Sequence, residues 1–419
     1  MIKKFLNFLG KLIKFKKITL ITILFLMFQN KSYPEEINYI EKKFDNYKIG
    51  LINNIPGAVY SVGVDNDDNV YATDFTNGYL FKFNIKEDQF NFNLIDLNLD
   101  KNQLEILKKN NSEILKAPGN FVRPHFVTFD KNGNIIIVES GISSKADPKN
   151  PIAGSIKVYE LKTGNLVTEF KTLKEKAYEL GYPNDTFGWN FPVTLTNDEY
   201  GNSYISEYGG HKITKFTKDK IIGWLGYKNN EKDQKKFYLN GKIEESSKFG
   251  GMSHPHTLRV GPDKNIYIAD TGNKRILKYS FEGEYIGWIG KRENGEIKSF
   301  WSKEGNPVAG NELGAFDAPN DINFLDDNRM LITDKNNNRI VIVNLDGKSE
   351  YWLGKKKSLL FKDKGEFWKK KGEPTPSDNF IGFDNPYGFI LKNENLYVAD
   401  RNNHRIKIIY NFRNLKFEN

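Results

Sequence analysis

The strongest constraint on this chain is one short pattern that returns six times at nearly fixed intervals. Residues 265–280 read "NIYIADTGNKRILKYS", residues 395–410 "NLYVADRNNHRIKIIY" and residues 329–344 "RMLITDKNNNRIVIVN". Looser copies begin at Asn69, Asn134 and Asn202. The acid midway through the pattern is Asp74, Glu139, Glu207, Asp270, Asp334 or Asp400, at intervals of 65, 68, 63, 64 and 66 residues. Regular spacing along most of 419 residues indicates one repeat array rather than separate domains.

Each unit has the same internal order. A proline opens a β-branched stretch, as in "PHFVTFD", "PVTLTND", "PHTLRVG", "PNDINFL" and "PYGFILK". A turn rich in Asp, Asn and Gly follows, then the strand that ends in the acid, a second turn, and a strand of the "RILKY" type. Later units add "GWLG", "GWIG" or "YWLG", at 223–226, 287–290 and 351–354. Four short strands per unit, six times over, predict an all-β fold: a six-bladed β-propeller of four-stranded antiparallel blades with long inter-blade loops. The segment 44–54, "FDNYKIGLINN", echoes the fourth-strand pattern and is expected to complete the last blade. Trp224 and Trp288 are expected to pack between blades.

Asp270, Asn273, Arg275 and Ile276, together with Asp400, Asn403, His404, Arg405 and Ile406, stand at positions that resemble the NHL repeat. The resemblance covers nearly all of residues 55–410 and implies an NHL-type propeller. The blade acids are expected to accept hydrogen bonds from turn amides or from Arg275, Arg339 and Arg405.

The N-terminus has a different character. Residues 1–34 carry seven lysines and no acid, and surround the eleven-residue apolar run "ITLITILFLMF". Eleven residues fall short of the roughly 20 that span a bilayer. Residues 1–34 therefore read as a signal peptide or an N-terminal membrane anchor, and residues 35–419 as the propeller. An exported protein is expected, periplasmic or attached to the inner membrane facing the periplasm. The absence of cysteine excludes a disulfide and a lipidated cysteine. The seven lysines account for most of the net charge of +9 and leave +2 for the remainder, so bulk charge offers no case for nucleic acid as a partner. Residues 354–372, "GKKKSLLFKDKGEFWKKKG", combine eight lysines with the exposed-looking Leu359, Leu360, Phe361, Phe367 and Trp368. Contact with an anionic membrane surface is one reading of this loop, and a solvated loop is the other.

In a propeller the proline-led strand is innermost. Its start, the turn after the second strand and the inter-blade loops share one face. All five histidines fall on that face by position. His125 and His256 follow prolines and are expected at the mouth of the central channel, with His254 on the same rim. Turn chemistry accounts for His211 and His404. Neutral imidazoles beside the axis are potential metal ligands. A shared zinc ion requires their nitrogens to lie within about 5 Å of each other.

This arrangement also resembles peptidyl-α-hydroxyglycine α-amidating lyase, a propeller family with NHL-like repeats. That family holds a catalytic zinc with post-proline histidines on alternate blades. His125 and His256 match two such positions, and Tyr387 stands at the third. The resemblance implies a catalytic role for Tyr208. The arginine the family uses in blade one is missing, since "VYATDFTNGY" has none.

Two functions follow from the sequence. The first is a propeller that binds a small-molecule, peptide or protein ligand, or a metal, at the channel mouth. Its candidate residues are His125, His256, Tyr387, His254, Glu139, Glu207, Asn320 and Arg123. The second is a zinc-dependent carbon–oxygen or carbon–nitrogen lyase.

Overall fold

The computed structural model describes residues 37–44, 47–86, 89–94, 121–142, 154–170, 189–217, 220–228, 237–238, 243–357 and 367–415. The expected signal or anchor at 1–34 and the middle of the lysine-rich loop at 358–366, with Leu359, Leu360 and Phe361, lie outside these residues. Among the described residues no helix is long and apolar enough to cross a membrane.

Six antiparallel sheets follow one another along the chain from Tyr39 onward. Their innermost strands are Val59–Val64, Pro124–Phe129, Pro192–Asn197, Pro255–Val260, Pro319–Phe324 and Pro386–Lys392. Each touches the next around the axis, and the sixth touches the first, which makes a closed six-bladed β-propeller. The sixth blade takes its outer strand from the other end of the chain: Lys48–Asn53 pairs antiparallel with Arg405–Tyr410, in register Lys48↔Tyr410 to Ile52↔Ile406. Segment 44–54 thus closes the ring as expected. At this seam a Cβ on Gly388 would lie 2.5 Å from the Tyr60 carbonyl oxygen, so only glycine permits the close approach of the first and sixth inner strands.

The second strands are buried along their whole length in blades one, two and four and in all but the first residue in blades three, five and six, because blades cover them on both faces. Apolar residues of neighbouring blades interdigitate between the sheets. Tyr204, Ile213 and Leu225 of blade three, for example, meet Leu258, Ile266 and Leu277 of blade four. Trp224, Trp288 and Trp352 are buried in these seams. Phe367 and Trp368 correct the sequence reading of the 354–372 loop as an exposed aromatic patch. They pack with Phe412 against the core of blades five and six, with the Trp368 ring 5.5 Å from that of Phe412.

Every second strand ends in a buried carboxylate that ties its blade together. In blades four to six the partner is arginine: Asp270–Arg275 at 2.7 Å, Asp334–Arg339 at 2.9 Å and Asp400–Arg405 at 2.7 Å. The guanidinium also donates to carbonyls of the incoming loop, as Arg339 does to Asn311, Glu312 and Ala315. In blades two and three lysine takes that place, with Glu139–Lys157 at 2.6 Å and Glu207–Lys212 at 3.3 Å. Arg339→Met leaves Asp334 buried without its cation and the loop carbonyls without their donor. It is expected to lower the unfolding free energy by about 3–5 kcal/mol, measured by urea denaturation.

Candidate functional site at the channel mouth

The start of each inner strand has an unusual backbone. The residue before the proline is left-handed in five blades: Arg123 (φ 54°), Phe191 (53°), His254 (51°), Ala318 (64°) and Asn385 (57°). The proline then pairs with the blade acid, and the register breaks directly after it. A bulge of this kind re-aims the side chain it carries. Six residues accordingly occupy equivalent places at the inner-strand starts: Tyr60, His125, Val193, His256, Asn320 and Tyr387.

The structure brings the sequence-predicted trio together. The His125 and His256 ring centroids are 4.7 Å apart. Tyr387 lies 5.0 Å from His256 and 5.8 Å from His125, with its hydroxyl 3.0 Å from His256 Nε2. Tyr60 completes the cluster, 4.2 Å from Tyr387 and 4.9 Å from His125. All three members of the trio are buried, so they form a packed floor. Burial is the main force on their protons. It pushes His125 down to about 3, aided by the Lys335 and Arg401 charges, and holds His256 well below the ordinary histidine range. The same burial keeps the Tyr387 phenol protonated.

A second tier comes from the residue after each blade acid. Phe75, Tyr208, Lys335 and Arg401 stand there in blades one, three, five and six. Phe75 stacks on Tyr60 at 4.2 Å, and Tyr208 lies 5.5 Å from Phe191. Lys335 Nζ sits 5.1 Å over the Tyr387 ring, and the Arg401 guanidinium 5.0 Å over Tyr60. Burial, then repulsion from Arg401, pushes Lys335 down to about 8, while Asp317 pulls the other way. Arg401 Nη1 donates to Asn385 at 3.3 Å, but its buried Nε has no partner. Both amide atoms of fully buried Asn320 are also unpartnered. The sequence reading singled out Tyr208 here but missed Phe75, Lys335 and Arg401, although their shared register after the acid marks them.

Other predicted residues are engaged elsewhere. Glu139 accepts from the Val122 amide and the Ser155 hydroxyl and pairs with Lys157. Glu207 accepts from the Asn190 amide and the Thr214 hydroxyl and pairs with Lys212. Both are buried and serve as blade ties. Arg123 lies over Phe75 at 5.9 Å. His404 bonds the Gly57 carbonyl at 2.8 Å, across the seam between the sixth and first blades. His254 stands beside Tyr208, ring centroids 4.6 Å apart, and beside His211 at the same separation. The axial trio suits zinc poorly. It offers two neutral imidazoles and a neutral phenol, no carboxylate completes a three-ligand set with them among the described residues, and two cations stand over it.

Comparison with known proteins agrees with this fold. Residues 252–279 match the NHL repeat model. They span the entry, the first two strands and the third of blade four, including Asp270 and Arg275. No curated protein matches the chain. Among solved structures, a protein of unknown function from Bacteroides thetaiotaomicron is similar over 89% of this chain and 76% of its own, at 13% identity and a TM-score of 0.52. An auxiliary nutrient binding protein from Bacteroides ovatus is similar over 89% and 77%, at 13% identity and a TM-score of 0.50. Virginiamycin B lyase from Staphylococcus aureus aligns over 87% and 99%, at 14% identity and a TM-score of 0.47. At these identities the likeness is one of fold.

The buried floor has a measurable signature in pH. Unfolded His125 takes up a proton near pH 6.5, whereas in the folded protein its pKa is about 3. Its contribution to stability is therefore complete above pH 6.5 and is lost as the pH falls towards 3. Between pH 7 and pH 5 that loss is about 2 kcal/mol. His125→Phe keeps a ring in the floor but cannot be protonated. Its unfolding free energy is expected to fall by that much less over the same interval, as read by denaturant titration at both pH values.

Proposed function

We propose that this propeller binds a small anionic ligand, with a planar or apolar body, in the cup above His125, His256 and Tyr387. One observation carries the reading: Lys335 and Arg401 stand over the same Tyr387 ring, at 5.1 and 5.6 Å, above a neutral floor. Like charges in partly buried surroundings cost stability unless an anion joins them. Asp317 acts on Lys335 alone, and a bound carboxylate, sulfate or phosphate group supplies countercharge to both cations. The ligand's body then lies against Tyr60, Phe75, Phe191 and Tyr208, and the orphaned Asn320 amide offers one donor and one acceptor. A fold-neighbour described as nutrient-binding fits the same class. The lysine-rich, apolar N-terminus supports an exported protein.

The lyase reading places zinc between His125 and His256. Their close approach favours it, while the missing third histidine, the missing arginine and the two cations count against it. Elemental analysis of the purified protein separates the two readings: the anion reading expects no metal lost on mutating His125 and His256 together.

Two results test the anion reading directly. Benzoate, a uronate and inorganic sulfate, used as probes, are expected to raise the thermal midpoint when the neutral alcohol of matching shape does not. Lys335→Met with Arg401→Gln removes two charge-assisted bonds, each worth about 1.5–3 kcal/mol, and so abolishes the response. Without ligand, Lys335→Met alone is expected to be more stable than the parent, because it keeps the buried stem and removes the repulsion. Equal response to neutral probes, or an undiminished response in the double variant, contradicts the proposal.

A further inference from the structure

A second cluster on the same face has the opposite electrostatic character. His211 lies in the turn after the second strand of blade three, His254 precedes Pro255 of blade four, and Glu245 directly follows the hairpin strand Ile243–Glu244 between the two blades. One ring nitrogen from each histidine and one Glu245 oxygen lie mutually within 4.8 Å. His254 Nδ1 is 3.5 Å from Glu245 Oε1, and His211 Nε2 is 3.9 Å from Glu245 Oε2.

The residues around the cluster hold it in place. Ser253 donates its amide to the blade acid Asp270 at 2.7 Å and its hydroxyl to Glu245 at 2.5 Å, and that hydroxyl lies 3.1 Å from His254 Nδ1. The His254 amide donates to His211 Nδ1 at 3.2 Å.

We infer that His211, His254 and Glu245 bind a single divalent transition-metal ion. Two imidazoles and one carboxylate are a zinc-type donor set that leaves a fourth position open. Tetrahedral ligands about 2.1 Å from one ion lie about 3.4 Å apart, so atoms now within 4.8 Å of one another must close by at most roughly 1.4 Å. Glu245, half-exposed on a hairpin end, can supply that movement. Ligation through His211 Nε2 moves the ring proton to Nδ1 and gives up the bond from the His254 amide. Glu245 supplies the negative charge that the axial floor lacks, which is why the ion belongs here rather than between His125 and His256. Tyr208 stands between this cluster and the anion cup, its ring 4.6 Å from that of His254 and 6.3 Å from that of His256.

The test is titration of chelator-treated full-length protein with Zn²⁺ alone, followed by calorimetry, and with Co²⁺, followed by its visible ligand-field spectrum. One equivalent is expected to bind. His211→Asn, His254→Asn and Glu245→Gln are the informative variants. Asparagine tolerates the left-handed backbone at 211 and 254, so the fold is retained and circular dichroism verifies it. Each variant loses a direct ligand, which is expected to cost more than the ten- to hundredfold that follows loss of a ligand's hydrogen-bond partner. Binding in the His125→Ala/His256→Ala variant is expected to be unchanged. Absence of stoichiometric binding overturns the inference. So does binding that survives all three substitutions, or binding lost only with the axial pair.

Discussion

A buried carboxylate at the end of each second strand is the interaction on which the structure depends. One oxygen of Asp270, Asp334 and Asp400 accepts the amide of the residue two places before the blade's opening proline: Ser253, Asp317 and Asp384. Glu139 and Glu207 do the same for Val122 and Asn190. The other oxygen holds a cation, and in blades four to six that cation also gathers the incoming loop. One side chain therefore fixes the loop, the strand entry and the second turn at once. Desolvation pushes Asp270 up, and Asp334 to about 6, while their arginine partners and the amides oppose it. Removing either side strands a charge in the core.

The functional face is a direct consequence. With the entry fixed, the next residue takes a left-handed backbone, the proline follows, and the bulge turns the residue after it towards the axis. Non-glycine residues at positive φ cost about 1–3 kcal/mol each, and here they recur at the channel mouth in five blades. The sixfold frame thus offers three places per blade: before the proline, after it, and after the acid. Chemistry enters by what fills them. Blades five and six place Lys335 and Arg401 over the floor, so that side of the mouth is positive. Blades three and four place His211 and His254 near Glu245, so that side suits a cation.

Much of this was legible in the sequence because it is local. Alternation of period two, turn residues and a fixed acid define a blade without reference to its neighbours. The axial trio was legible because the post-proline position repeats. Lys335 and Arg401 occupy an equally regular position, but turn residues read as solvated, and only the ring geometry shows them leaning over Tyr387 and Tyr60. Glu245 has no counterpart in the repeat, since it lies in an inter-blade hairpin, and its meeting with His211 and His254 is purely tertiary. Phe367 and Trp368 misled for the same reason: their lysine-rich surroundings suggest a surface loop, while Phe412, far along the chain, partly covers them.

The central claim is that the axial cup is an anion site. Anomalous diffraction from a crystal soaked in bromide tests it most directly, since the halide reports positive field without needing the true ligand. A bromide peak between Lys335 and Arg401, above the Tyr387 ring, is the predicted result. A cup without bromide, or an anomalous peak for a metal between His125 and His256, would contradict it.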